Sequence, residues 1–150
     1  MLRDTIKSAQ VSAMKAKEKE RLATIRLILA RVKDRDIELR VGSGGQDDDA
    51  MIVDVLQKMA KQRKESIALY RQGNREDLAA AEQAELVIIE EFLPQQLGEE
   101  ETRQAIAAII AELGAGGIKD MGKVMSELKA RHGAVLDMSN ASRFVKESLS

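Results

Sequence analysis

Residues 2–32 read LRDTIKSAQVSAMKAKEKERLATIRLILARV, and the placement of their apolar side chains decides the fold. Leu2, Ile6, Ala9 and Ala13 recur at helical spacing, and so do Leu22, Ile25, Leu29 and Val32. At ~100° per residue, one straight helix would set these two stripes roughly 140° apart, so a single core could not receive both. The spacing therefore predicts two helices, with a turn inside the charged run Lys15-Ala16-Lys17-Glu18-Lys19-Glu20. No Gly or Pro marks that turn.

The same logic extends outward. The second helix should end before Gly42-Ser43-Gly44-Gly45. Asp47, Asp48 and Asp49 then open a third helix, where carboxylates suit exposed amides and the positive dipole end. It carries Ile52, Leu56, Met59, Ile67 and Tyr70 and should stop at Gly73 as its C′ residue, with Asn74 as N-cap of a fourth helix. That fourth helix runs through Leu78, Ala81, Leu86, Ile89 and Phe92 until Pro94 forbids continuation. Glu99, Glu100 and Glu101 open a fifth, which stops in Gly114-Ala115-Gly116-Gly117. A sixth spans about 118–131, and a seventh begins near Asp137, a candidate N-cap. Four longer helices precede three shorter ones, and no internal repeat is present.

Composition agrees. The chain has 150 residues, 44% hydrophobic and 33% charged, with one Pro, no Trp, one Tyr and two Phe. Its commonest residues lose least on entering a helix, and alternation of strand type is nowhere sustained. The expected fold is all-α with an aliphatic core and Met as gap-filler. Absence of Cys excludes disulfides, thiolate metal sites and thiol nucleophiles. The start of the chain has no apolar run like a secretory signal, and no stretch of ~18 apolar residues occurs. A cytoplasmic location is therefore expected, with neither a membrane nor DNA as partner.

A formal charge of −1 hides segregation. Residues 1–40 hold eleven basic and six acidic side chains, residues 58–75 six basic and one acidic, and residues 76–101 nine acidic and no basic. One reading is a basic face on the first three helices that tracks phosphates. The other is that the basic third helix packs beside the acidic fourth through solvated ion pairs, each worth little.

Catalytic chemistry is sparse. His132 is the sole histidine, expected at the C-terminal end of the sixth helix, where the dipole suits it. The glycine run 114–117 lacks the Gly-Lys-Ser/Thr ending of a phosphate loop and reads as a helix stop and restart. Glu90 and Glu91 point about 100° apart on a helix and do not pair. Consecutive helical aspartates fan apart, so residues 47–49 read as caps rather than cation ligands. No metal, cofactor or catalytic residue is expected.

Several stretches, in order, resemble the GatB/YqeY family: Lys17-Glu18-Lys19-Glu20-Arg21-Leu22, Lys61-Gln62-Arg63-Lys64-Glu65-Ser66-Ile67, Gly73-Asn74-Arg75-Glu76-Asp77-Leu78, Glu85-Leu86, Phe92-Leu93-Pro94-Gln95-Gln96-Leu97 and Lys119-Asp120-Met121-Gly122-Lys123-Val124-Met125. The resemblance covers essentially the whole chain and matches the length of free-standing YqeY-like members. It implies an N-terminal four-helix bundle-like domain over 1–94 and a small three-helix domain over 95–150. Related segments form the tail of the B subunit of the tRNA-dependent amidotransferase, which helps grip tRNA while phosphorylation and amide transfer happen elsewhere. The family therefore carries an association with glutamine-dependent carbon–nitrogen ligases. The residues here supply no ATP, Mg²⁺ or glutaminase constellation for that chemistry.

What the resemblance implies for this chain is an accessory module binding tRNA or other structured RNA. Its leading phosphate ligands are Lys119 and Lys123, with Lys129, Arg131, Arg143 and Lys146 as further candidates. Lys119 is expected in the first turn of the sixth helix, among amides that favour an anion. Gly122, at roughly 1 kcal/mol against alanine, implies a close helix contact. Leu136-Asp137-Met138 replaces the Ala-Asp-Gly that many members carry before the last helix. The alternative is a protein-interaction module of a translation-related assembly, docking through the small residues Ala79, Ala80, Ala81 and Ala84.

Overall fold

A computed structural model describes residues 1–41 and 47–150, and Gly42-Ser43-Gly44-Gly45 lies outside them. Seven α-helices occur among the described residues: α1 (Leu2–Lys15), α2 (Lys19–Val41), α3 (Asp48–Gln72), α4 (Glu76–Glu91), α5 (Glu99–Leu113), α6 (Met121–His132) and α7 (Met138–Leu149). Short 3-10 turns span Ile118–Asp120 and Gly133–Val135, and no described residue is in a strand. The all-α expectation holds. The chain divides into two compact units, Met1–Leu93 and Pro94–Ser150.

In the first unit the apolar stripes of α1 and α2 both reach one core. Ile6 and Ala13 from α1 and Ile25, Ile28 and Val32 from α2 are buried with Ile52, Leu56 and Ile89. Met51 and Met59 fill the gaps between these branched side chains. The turn falls where the sequence places it. Lys17 takes the left-handed conformation at φ 59°, its N–H donates to the Met14 carbonyl (3.2 Å), and the Glu18 N–H donates to that of Ala13 (3.0 Å). This is a Schellman closure built on lysine, a strain that glycine would relieve.

The α3–α4 turn closes the same way, shifted one residue from expectation. Asn74, not Gly73, is left-handed (φ 57°), and the Arg75 N–H donates to the Tyr70 carbonyl (2.8 Å). Asn tolerates this conformation better than most residues, so it ends α3 instead of capping α4, whose N-cap position is Arg75.

The three aspartates divide their work. Asp47 caps α3 by accepting from the Ala50 N–H (3.2 Å). Asp49 accepts the N–H of Leu2 (3.0 Å), satisfying an orphan donor at the start of α1. Asp48 meets Arg3, whose guanidinium also grips Asp36 on α2. Capping explains only the first of them.

The second unit has its own aliphatic core, in which Ile106, Ile109, Val124, Leu128, Leu136, Phe144 and Val145 are buried. Met121, Met125 and Met138 pack against it. Gly114 ends α5 at φ 61°, and Asp137 caps α7 by accepting from the N–H groups of Ser139 and Asn140. The stretch after Pro94 is stitched to this unit: the Leu97 N–H donates to the Val135 carbonyl (2.8 Å) and the Gln96 amide to that of Ala134 (3.1 Å).

Candidate nucleic-acid interface

The acids of the second unit are largely spoken for. Glu112 and Glu127 hold Arg131 at 2.7 and 2.6 Å, while Glu99 and Glu147 face Arg103 at 2.9 and 3.9 Å. Asp120 and Asp137 accept from backbone amides. The cations left without an ion pair, among the described residues, are Lys119, Lys123, Lys129, Arg143 and Lys146, all exposed, against two unpaired acids, Glu100 and Glu101.

The six candidate cations are therefore not equivalent. Arg131 is clamped by two carboxylates that hold its pKa above the ordinary arginine value, so it does not belong with the available phosphate ligands. Arg143 lies over the Phe144 ring at 5.0 Å, and so does Arg103, a residue that the sequence does not single out, at 4.6 Å. Arg103 and Phe144 are far apart in sequence, and no local signal links them.

Lys119 does not occupy the first turn of α6. The Asp120 carboxylate folds back to accept the Gly116 N–H (3.0 Å), and the Asp120 N–H donates to the Gly117 carbonyl (3.0 Å). These bonds close a 3-10 turn ahead of Met121, and Lys119 sits in it. Backbone from Lys119 to Lys123 still rises about one helical turn, roughly 6–7 Å, and both side chains are exposed. Lys129 lies roughly 120° around α6 from Lys123 at ~100° per residue.

Gly122 overturns its expectation. A methyl group built there meets no heavy atom within 4 Å, so no helix approaches that backbone. The glycine instead leaves α6 bare beside the two lysines. Gly122→Ala should raise the stability of this unit by about 1 kcal/mol, the intrinsic helix difference between the two residues. Urea unfolding measures it, and a loss of stability would reveal a hidden close contact.

A feature absent from the sequence reading lies next to this edge. Leu113 (44% exposed) and Ile118 (49% exposed) bracket the Gly114–Gly117 turn. Apolar residues flanking a glycine-rich turn were the available signal. The small-residue stripe of α4 is also split: Ala79 is fully buried, and only Ala80, Ala81 and Ala84 face solvent.

The first unit supports the ion-pair account of the charge blocks in part. Arg63 of α3, only 15% exposed, sits at 3.6 Å from Glu82 and 3.1 Å from Glu85 of α4. Arg71 meets Glu76 at 3.6 Å, and Arg21 of α2 meets Glu91 at 2.6 Å. Lys61 and Lys64 have no such partner among the described residues. A surface groove of about 410 Å³ runs between α2 and α3. Its charges cancel in pairs, Arg31–Asp34, Arg35–Glu38 and Lys58–Asp54, which leaves none poised for acid–base work. Among the described residues no group of three or more His, Cys, Asp or Glu could hold a metal ion. His132 ends α6, as expected. No described helix is long and apolar enough to cross a membrane.

A family model described as Yqey-like protein matches residues 3–149. Similar curated proteins include "Altered inheritance of mitochondria protein 41, mitochondrial" from Meyerozyma guilliermondii, 36% identical over 90 residues, covering 60% of this chain and 45% of that protein. The protein of the same name from Saccharomyces cerevisiae is 35% identical over 83 residues, covering 55% and 43%. That from Vanderwaltozyma polyspora is 36% identical over 81 residues, covering 54% and 42%. The match spans less than half the length of these relatives. Their names place them in mitochondria, which overturns the cytoplasmic expectation. That expectation rested on the lack of an apolar signal, and mitochondrial transit segments are amphipathic rather than apolar, so the criterion was blind to them.

Proposed function

The chain belongs to the Yqey-like protein family, and from that premise we propose that it is a non-catalytic accessory module that binds tRNA or another structured RNA through its C-terminal unit. The observation carrying this reading is the division of charge in that unit. Six of its eight acids are bound to two arginines and to backbone amides, and only Glu100 and Glu101 stay unengaged, while Lys119, Lys123, Lys129, Arg143 and Lys146 are left exposed and without an ion pair among the described residues. Lysines held in this way gain by displacing counterions from phosphates. Lys119 and Lys123 lead because the bare backbone of Gly122 lies between them, where a sugar–phosphate chain meets no side chain.

The amide-forming chemistry associated with the wider family has no counterpart in this arrangement of residues, so the role proposed is adhesion, with catalysis left to another subunit. Fluorescence titration of a labelled tRNA transcript tests it. Wild type should bind at low salt and weaken steeply as salt rises, and Lys119→Ala/Lys123→Ala should flatten the log–log salt slope by about 1–2. An unchanged slope refutes the site, and no binding at low salt refutes the function.

A second reading has its own support. The exposed pair Leu113 and Ile118 would suit a protein partner of a translation-related assembly. Capture of a protein that survives nuclease and is lost in Leu113→Ser/Ile118→Ser would favour it.

A further inference from the structure

Among the described side chains, the cations of α2 fall into two sets once the helices are packed. Arg21 is taken by Glu91, Arg31 by Asp34 and Arg35 by Glu38. Lys19, Arg26 and Lys33 are exposed and have no ion pair among the described residues. These three are spaced by seven residues. Seven residues are close to two helical turns, so the side chains form one column, drifting by only ~20° per step, at intervals of about 10.5 Å. Ala23 and Ala30, both exposed, lie beside that column, and Asp34 and Glu38 are turned toward their own arginines.

We propose that this outward face of α2 is a second phosphate-tracking surface, on which Lys19, Arg26 and Lys33 follow the backbone of a structured RNA. The inference rests on the RNA-binding reading of the protein, but it concerns a different unit and different residues. Cations set about 10.5 Å apart along a line cannot converge on one small anion. They match a ligand that is itself an extended row of charges, as a nucleic-acid backbone is. The neighbouring alanines let such a backbone come close to the helix, and the apolar strip they form with the half-exposed Ile37 is too small to anchor a protein helix. A second copy of the chain is a poor occupant. Five of the six acids of α4, its most acidic helix, are engaged within the chain, Glu76 with Arg71, Asp77 with Arg75, Glu82 and Glu85 with Arg63, and Glu91 with Arg21, which leaves Glu90 alone to meet three cations.

The test uses the full chain and a labelled tRNA transcript at a series of salt concentrations, comparing wild type, Lys19→Ala/Arg26→Ala/Lys33→Ala and Lys119→Ala/Lys123→Ala. All three substitutions of the first variant are on the surface, and far-UV circular dichroism checks that the helices persist. The α2 variant should bind about tenfold more weakly at 0.1 M salt, with a log–log slope smaller by about 2–3, close to 0.9 for each phosphate no longer neutralised. Lys19→Arg/Lys33→Arg should bind like wild type. If wild type binds and the α2 variant matches it in affinity and slope, the α2 surface is wrong while the C-terminal reading stands. If only the α2 variant loses binding, the α2 surface is upheld and the C-terminal site falls. Absence of binding by wild type at low salt overturns both. An acidic protein captured by wild type but not by the α2 variant, with RNA binding unaltered, replaces the RNA assignment.

Discussion

Leu128→Ala is expected to remove most of the stability of the C-terminal unit, so that it unfolds in mild urea while Met1–Leu93 keeps its structure. Leu128 is fully buried on α6, in a core that also holds Ile106, Ile109, Val124 and Phe144. Truncating a buried leucine removes about 2–5 kcal/mol, combining lost transfer energy with the cavity left behind. At roughly 0.05–0.15 kcal/mol per residue, a unit spanning Pro94–Ser150 holds only about 3–9 kcal/mol in all. The substitution thus consumes most of its reserve. Tyr70, the only tyrosine and packed on the core of the first unit, provides a local probe. In mild urea, far-UV ellipticity should fall by about the share of α5, α6 and α7, while Tyr70 fluorescence keeps its native urea transition. Leu128→Met, nearly volume-conserving, should retain both signals. An alanine variant that loses its ellipticity at the same urea concentration as wild type would contradict the account.

Arg3→Ala should destabilise the first unit by about 1–3 kcal/mol at neutral pH, the loss of hydrogen bonds to charged groups lowered somewhat by solvent screening. Arg3 is the fork that ties three helices: its Nη1 and Nη2 reach Asp36 on α2 at 3.0 and 2.9 Å, and its Nε and Nη2 reach Asp48 on α3 at 3.1 and 2.6 Å. With the side chain 27% exposed, the pairs are partly screened, and this tempers their strength. Lysine offers a single point charge without the planar fork, so Arg3→Lys should recover only part of the loss.

The pH dependence distinguishes this network from simple packing. Hydrogen bonding to Arg3 holds the Asp48 carboxyl below the usual carboxylate range. A depressed carboxylate contributes stability that is complete above its unfolded pKa, about 3.9, and is lost as pH falls through the lower folded value. The gap between wild type and Arg3→Ala should therefore be widest near pH 7 and shrink in acid below pH ~4. Urea midpoints across that range measure it. A gap independent of pH would mean that Arg3 acts through its aliphatic stem.

The helices themselves were legible because their causes are local. Two apolar stripes that one straight helix could not align required the turn at Lys17, and Gly114 and Asp137 took the cap positions their chemistry suits. The α3–α4 turn was readable only to within a residue, since Gly73 and Asn74 both tolerate a left-handed backbone. At the candidate interface the residue types were visible, but their availability was not. Arg131 and Lys123 look alike in sequence, yet one is clamped by Glu112 and Glu127 and the other is free among the described residues. Gly122 suggests a contact because the helix penalty of glycine is local, whereas the empty space beside it depends on where the other helices go.

Helix content, caps and an aliphatic core follow from forces acting over three or four neighbouring residues, and these are written in the order of the amino acids. Pairing of charges follows from distances between side chains on separate helices, and Coulombic attraction at a solvated surface matters only within a few ångströms. Three adjacent aspartates illustrate the divide. Their presence at the start of α3 is a matter of local chemistry, but packing alone sends one to its own helix, one to Arg3 and one to the first amide of α1.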